Sequence, residues 1–107
     1  MTTRSIEYYV TSSGKAPFLE WMNKLDMNSQ IIVDRYIQRV AQGGAKKSIK
    51  NLKGGLFEIK IPYGSGLRVY FGEEERKLIL LLMGGDKKKQ KRDIQKAHEY
   101  WEEQSKS

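Results

Sequence analysis

Between residues 56 and 71 the chain reads LFEIKIPYGSGLRVYF, and apolar and polar positions alternate with a period of two. That period predicts two strands, and YGSG between them predicts the turn of a hairpin. Phe57, Ile59, Ile61, Val69 and Phe71 then share a core face, while Leu56, Glu58, Lys60, Arg68 and Tyr70 share the other. SIEYYVT, residues 5–11, alternates in the same way and reads as a half-buried strand. Phe18, Trp21, Met22 and Leu25 recur at helical spacing behind Pro17, which suits a first helical turn. Ile32, Val33, Tyr36, Ile37 and Val40 form the stripe of a longer helix. Asp26 or Asn28 caps it, and Gly43 and Gly44 end it.

AKKSIKNLKGG follows as a basic loop. After the hairpin, GEEER makes a second turn. KLILLLM, residues 77–83, is a strand apolar on both faces, which places it inside the sheet. GGDKKKQKR breaks that strand. DIQKAHEYWEEQSKS reads as a closing helix with Ile94, Ala97, His98 and Trp101 on one side and a frayed end. The order is β-α-α-β-β-β-α, an α+β fold with a mostly antiparallel sheet packed by helices, spanning residues 1–107 as one domain.

Composition narrows the chemistry. The 107 residues hold no cysteine and a single histidine, His98, so disulfides and thiolate metal sites are excluded. The start, MTTRSIEYYV, lacks the apolar core of a signal peptide. The longest apolar run, LILLLM, is too short to span a bilayer. A soluble, cytoplasmic protein is expected, with no cofactor implied. Twenty Lys and Arg against thirteen Asp and Glu give a net charge of +7, which points to a polyanionic partner. Nucleic acid is the foremost candidate, ahead of an acidic protein or an anionic membrane.

Candidate chemistry gathers on the polar face of the hairpin, where Glu58, Lys60, Arg68 and Tyr70 fall within a few residues of each other. The break after the central strand can deliver Lys87, Lys88, Lys89, Lys91 and Arg92 nearby. An ordinary solvated face accounts for the same residues, because polar alternation is the default in an antiparallel hairpin. On either account these side chains are expected to be replaceable without unfolding the protein. Cross-strand contacts such as Glu58–Arg68 read equally as surface pairs of little worth. His98 fits a packing or surface role, and Gly84-Gly85 a turn rather than a phosphate loop. The basic segments suggest phosphate contacts from Lys46, Lys47 and Lys53, and from Lys88, Lys89, Lys91 and Arg92 with Gln90 among them.

Three blocks occur in order: NLKGGLFEIKIPYG, then SGLRVYF, then GGDKKKQKRDIQKA. Together they resemble the RelE/ParE toxin superfamily, most closely the addiction-module killer branch akin to HigB toxins. The resemblance covers nearly the whole chain and implies a RelE-like fold. It implies a toxin of a bacterial type II toxin–antitoxin pair that cleaves messenger RNA on the ribosome without metal, the ribose 2′-hydroxyl attacking the adjacent phosphate. It implies a cognate antitoxin, expected to be a helix-turn-helix protein. Arg68 matches the family's hairpin arginine, and its planar guanidinium suits two phosphate oxygens. Lys60 matches a basic position, serving as a base or a phosphate-binding cation. Lys87 falls near a catalytic arginine of some relatives. Glu58 stands as base or as the partner that orients Arg68. The segment after the last strand lacks the tyrosine or histidine of several RNA-cleaving relatives, so either a lysine takes that role, or Tyr70 does, or the rate is low. The ParE branch supplies the alternative, a gyrase inhibitor without nuclease activity. A non-toxic basic nucleic-acid-binding module is the third reading.

Overall fold

In the computed structural model, which describes residues 3–106, helices pack on both faces of a five-stranded mixed sheet. The strands are β1 (Ser5–Tyr8), β2 (Ile49–Asn51), β3 (Leu56–Ile61), β4 (Leu67–Glu74) and β5 (Leu78–Asp86). The helices are α1 (Pro17–Asn23), α2 (Met27–Ala41) and α3 (Gln90–Lys106), with short 3-10 turns at Lys46–Ser48 and Lys87–Lys89. The sheet order is β1-β5-β4-β3-β2. β1 runs parallel to β5, and every other pairing is antiparallel. The α+β architecture expected from the periodicities is present, and β5 lies inside the sheet.

One face carries the larger core. Phe18 of α1 and Val33, Ile37, Val40 and Ala41 of α2 pack on Ile59, Ile61, Val69, Phe71, Ile79 and Leu81. Asp26 precedes α2, and its carboxylate accepts from the hydroxyl of Ser29. At the other end Gly43, with φ of 89°, takes the left-handed turn that stops the helix.

The opposite face departs from expectation. It is not a solvated polar surface, because α3 lies across it. Leu56, Tyr70, Leu80 and Leu82 bury there with Tyr9 and with Ala97 of α3. The Tyr9 hydroxyl donates to Glu103 at 3.1 Å, tying the far end of α3 to the end of β1. Glu58 and Tyr70 are both fully buried. The expectation that these residues can be replaced as surface residues therefore fails. Period-two alternation is blind to a helix arriving from more than twenty residues downstream.

Three local readings also change. The basic loop contains β2, whose Lys50 pairs across from Glu58. Gly84 and Gly85 lie within β5 rather than in a turn, and Gly72 lies within β4. Each glycine clears space for a side chain that arrives from a helix. A Cβ on Gly84 would stand 2.1 Å from the ring of Trp21, and one on Gly72 would stand 2.2 Å from the ring of Trp101. The closing helix begins at Gln90, three residues before Asp93, and continues to Lys106. No described helix is long and apolar enough to cross a membrane.

Candidate active site

Two rows of side chains cross the sheet on the face that α3 covers. Direct cross-strand partners point to the same side. Lys50, Glu58, Tyr70 and Met83 therefore form one row from β2 to β5, and Lys60, Arg68 and Gly85 form the next. The first row is sealed in its middle, and the second opens outward at Lys60, which is exposed.

The start of α3 closes over these rows. The side-chain amide of Gln90 donates to both Glu58 oxygens, at 3.2 and 2.9 Å. Asp93, one turn later, is 5% exposed and lies over Gly85. Glu58, Arg68 and Asp93 are thus three buried ionisable groups at one place. No carboxylate comes within ion-pair distance of Arg68 among the described residues, so Glu58 does not close the cross-strand pair that the sequence allows.

Two buried polar atoms here have no hydrogen-bond partner among the described residues, Arg68 Nε and the Tyr70 hydroxyl. The Tyr70 hydroxyl is near the Glu58 carboxylate without meeting hydrogen-bond geometry. Its pKa is pushed far up, first by burial and then by the charge of Glu58, so the phenol stays protonated. Burial likewise raises the Asp93 carboxyl. The charges of Arg92 and Lys89 oppose that rise, and Asp86 adds to it. Buried polar atoms are normally satisfied, and two exceptions in one cluster make this the candidate site.

The rim is cationic. The Lys87 amide donates to the Gly66 carbonyl at 2.9 Å, which ties the end of β5 to the hairpin turn. A Cβ on Gly66 would stand 3.4 Å from Lys87 Cβ and 3.8 Å from Arg68 Nη1, so Lys87 and the Arg68 guanidinium flank the same glycine. Asp86 Oδ1 accepts from the Lys89 amide at 3.2 Å. The lysine run is therefore a capped turn and not an open loop, and Lys87, Lys88 and Lys89 are exposed on it. Lys91 and Arg92 continue exposed on α3.

The other basic candidates lie elsewhere. Lys46 borders a cavity of about 640 Å³ with Arg4, Arg76 and Lys77, at the opposite end of β4 and β5 from Arg68. Lys53 borders a groove with His98 and Trp101. Lys47 is exposed on the turn before β2. His98 is exposed, whereas the Trp101 indole donates to the Gly54 carbonyl at 2.8 Å.

Two site residues escaped sequence reasoning. Lys50 was hidden because a three-residue strand inside a basic segment shows no readable alternation. Asp93 was visible only as an acidic residue in a first helical turn, where acids are ordinary. Among the described residues, no group of three or more His, Cys, Asp or Glu is placed to hold a metal ion.

The sequence pattern of the family described as phage derived protein Gp49-like (DUF891) matches residues 20–102. That span runs from α1 to near the end of α3 and includes every residue of the two rows. No curated protein matches the chain.

Proposed function

This chain belongs to the Gp49-like family of RelE/ParE-like toxins from toxin–antitoxin systems, and on that footing we propose that it is a metal-independent endoribonuclease that cuts messenger RNA on the ribosome. The observation that carries the reading is the buried Arg68, with an unpartnered Nε and its Nη1 beside Lys87, set directly across from exposed Lys60. Cations converging on one partly sealed guanidinium suit a phosphate that gains charge during reaction.

In the proposed reaction the ribose 2′-oxygen attacks the adjacent phosphorus and the bond to the 5′-oxygen of the next nucleotide breaks. A 2′,3′-cyclic phosphate and a free 5′-hydroxyl result. Arg68 holds the non-bridging oxygens of the pentacovalent phosphorane. Lys60 and Lys87 flank it, supplying charge or moving the proton between the 2′-hydroxyl and the leaving oxygen. Glu58 and Tyr70 are too deep to touch RNA. Glu58 works through Gln90, which it fixes at the start of α3. Tyr70, held neutral, keeps a second negative charge away from the phosphate. Lys88, Lys89, Lys91 and Arg92 bind the flanking backbone.

Within this reading the chain is of the HigB-like branch, and its cognate antitoxin is a helix-turn-helix protein. Induced expression should arrest growth, and primer extension should find new messenger 5′ ends on translated transcripts. Arg68→Ala should remove both effects. Arrest with intact messenger and blocked gyrase supercoiling would replace this reading with gyrase inhibition. Co-expression of the cognate antitoxin should restore growth.

A further inference from the structure

The row Lys60–Arg68–Gly85 ends at a residue with no side chain, and α3 fills its place. A Cβ built on Gly85 would stand 2.0 Å from Asp93 Oδ2 and 3.1 Å from Asp93 Cγ. The Asp93 carboxylate therefore occupies the position of a strand side chain directly across from Arg68. Gly85 is not among the glycines with positive φ, so its bare backbone serves space and not conformation.

Two simpler accounts fall short. An acid in a first helical turn gains about 0.3–1 kcal/mol from the helix dipole, but an exposed one does so equally well. Pairing with Arg92 is weak, because Arg92 Nε lies 3.9 Å from Asp93 Oδ1 and its own side chain is largely exposed. What remains is a carboxylate on a residue only 5% exposed, and burying its charge costs stability. It takes the place of the side chain across from Arg68, whose buried Nε–H has no hydrogen-bond partner among the described residues.

We propose that Asp93 is a positioning residue for Arg68, an inference that rests on the RNA-cleaving reading above. Its charge draws the Nε edge of the guanidinium inward across β4 and β5 without closing an ion pair. The Nη1 edge is thereby left facing Gly66 and Lys87, free for a phosphate. Asp93 does not touch the RNA. Arg92 on α3, Lys89 on the capped turn and Asp86 at the end of β5 act on its charge, and Tyr70 on β4 faces it together with Glu58 on β3 and Arg68 on β4.

Asp93→Asn should lower kcat by about ten- to a hundredfold, the scale of a small misplacement of a catalytic group. KM for RNA should stay level or fall, since a negative charge near the phosphate is removed. Thermal melting at neutral pH should be no lower than in the parent protein, because the ionised buried carboxylate is a cost. Gly85→Ala displaces the carboxylate while keeping it in the chain, and should reproduce the loss of kcat. In an Arg68→Ala background Asp93→Asn should add no further loss, as expected for coupled residues. The Arg68 Nε–H resonance in NMR spectra should shift and exchange faster with water in Asp93→Asn, whether or not the protein cleaves RNA. Additive losses, or an unchanged Nε–H resonance, overturn the inference. A shifted resonance in a protein that never cleaves RNA upholds the Asp93–Arg68 link and overturns the nuclease reading instead.

Discussion

Arg68 sits at a boundary that decides how its variants behave. It is 9% exposed, buried enough for its side chain to be held, and its Nη1 lies beside Gly66 at the hairpin turn. Arg68→Ala is expected to lower messenger cleavage by about a hundred- to a thousandfold, as removal of one transition-state donor does. Its thermal stability should fall by about 1 kcal/mol, the centre of the distribution for point variants. A folded Arg68→Ala protein with full toxicity would move the site off this hairpin. Tyr70 makes the opposite prediction. Its ring is core, but its hydroxyl has no partner, so Tyr70→Phe removes a buried unsatisfied group at nearly constant shape. Tyr70→Phe should melt no lower than the parent in calorimetry and should retain cleavage. Lost cleavage in a stable Tyr70→Phe protein would show that the hydroxyl reaches the reaction after all.

Strands and helices are fitted to each other through glycines. Gly72 is the clearest case, because the Trp101 ring lies against its backbone and its indole N–H donates to the Gly54 carbonyl. Gly72→Ala forces the indole away and with it the covering helix α3. A loss of about 1–3 kcal/mol or more is expected in denaturant melts, and replacing Trp101 with leucine in the same protein should recover part of it. The start of α2 offers a pH test. The hydroxyl of Ser29 holds the Asp26 carboxyl below its ordinary range. A depressed folded pKa contributes stability above the ordinary carboxylate range and loses it as pH falls through the folded value. Asp26→Ala should therefore melt lower than the parent at neutral pH, and the gap should close in strong acid. A gap independent of pH would mean that the carboxylate charge plays no part.

The net charge of +7 is not spread evenly over functional surface. Lys60, Lys87, Lys88, Lys89, Lys91 and Arg92 are exposed at or beside one end of β4 and β5. Lys46 with Arg76 and Lys77 lies at the other. If the first group binds the RNA backbone, affinity for single-stranded RNA should fall with added salt. The log–log slope should be about −0.7 for each phosphate neutralised. Charge reversal at Lys88 and Lys89 should flatten that slope more than charge reversal at Lys46 and Lys47. Equal effects at both ends would assign RNA binding to general charge and not to this site.

Much of the architecture was legible in local pattern. Period-two runs predicted the hairpin and the interior strand, and the stripe of Ile32, Val33, Tyr36, Ile37 and Val40 with Asp26 before it predicted α2 closely. These signals are local because backbone geometry sets them within a few residues. Lys60, Arg68 and Lys87 were legible as candidates for the same reason, from alternation and from the end of a strand. The burial of Glu58 and Tyr70 was not, because a polar residue in an alternating strand looks the same under water as under a helix. β2 was too short to show a period. Gly72, Gly84 and Gly85 read as turns, because nothing in the neighbouring residues announces an indole or a carboxylate arriving from a distant helix. Asp93 meets Gly85 across only eight positions of sequence, yet their contact exists only because the chain reverses through the turn at Lys87–Lys89 and lays α3 on the sheet. Local sequence thus determined which elements form and which faces they offer, since those depend on backbone period and side-chain polarity. Tertiary packing alone decided that one polar face is sealed by a helix, because burial is a property of what comes to lie on a surface.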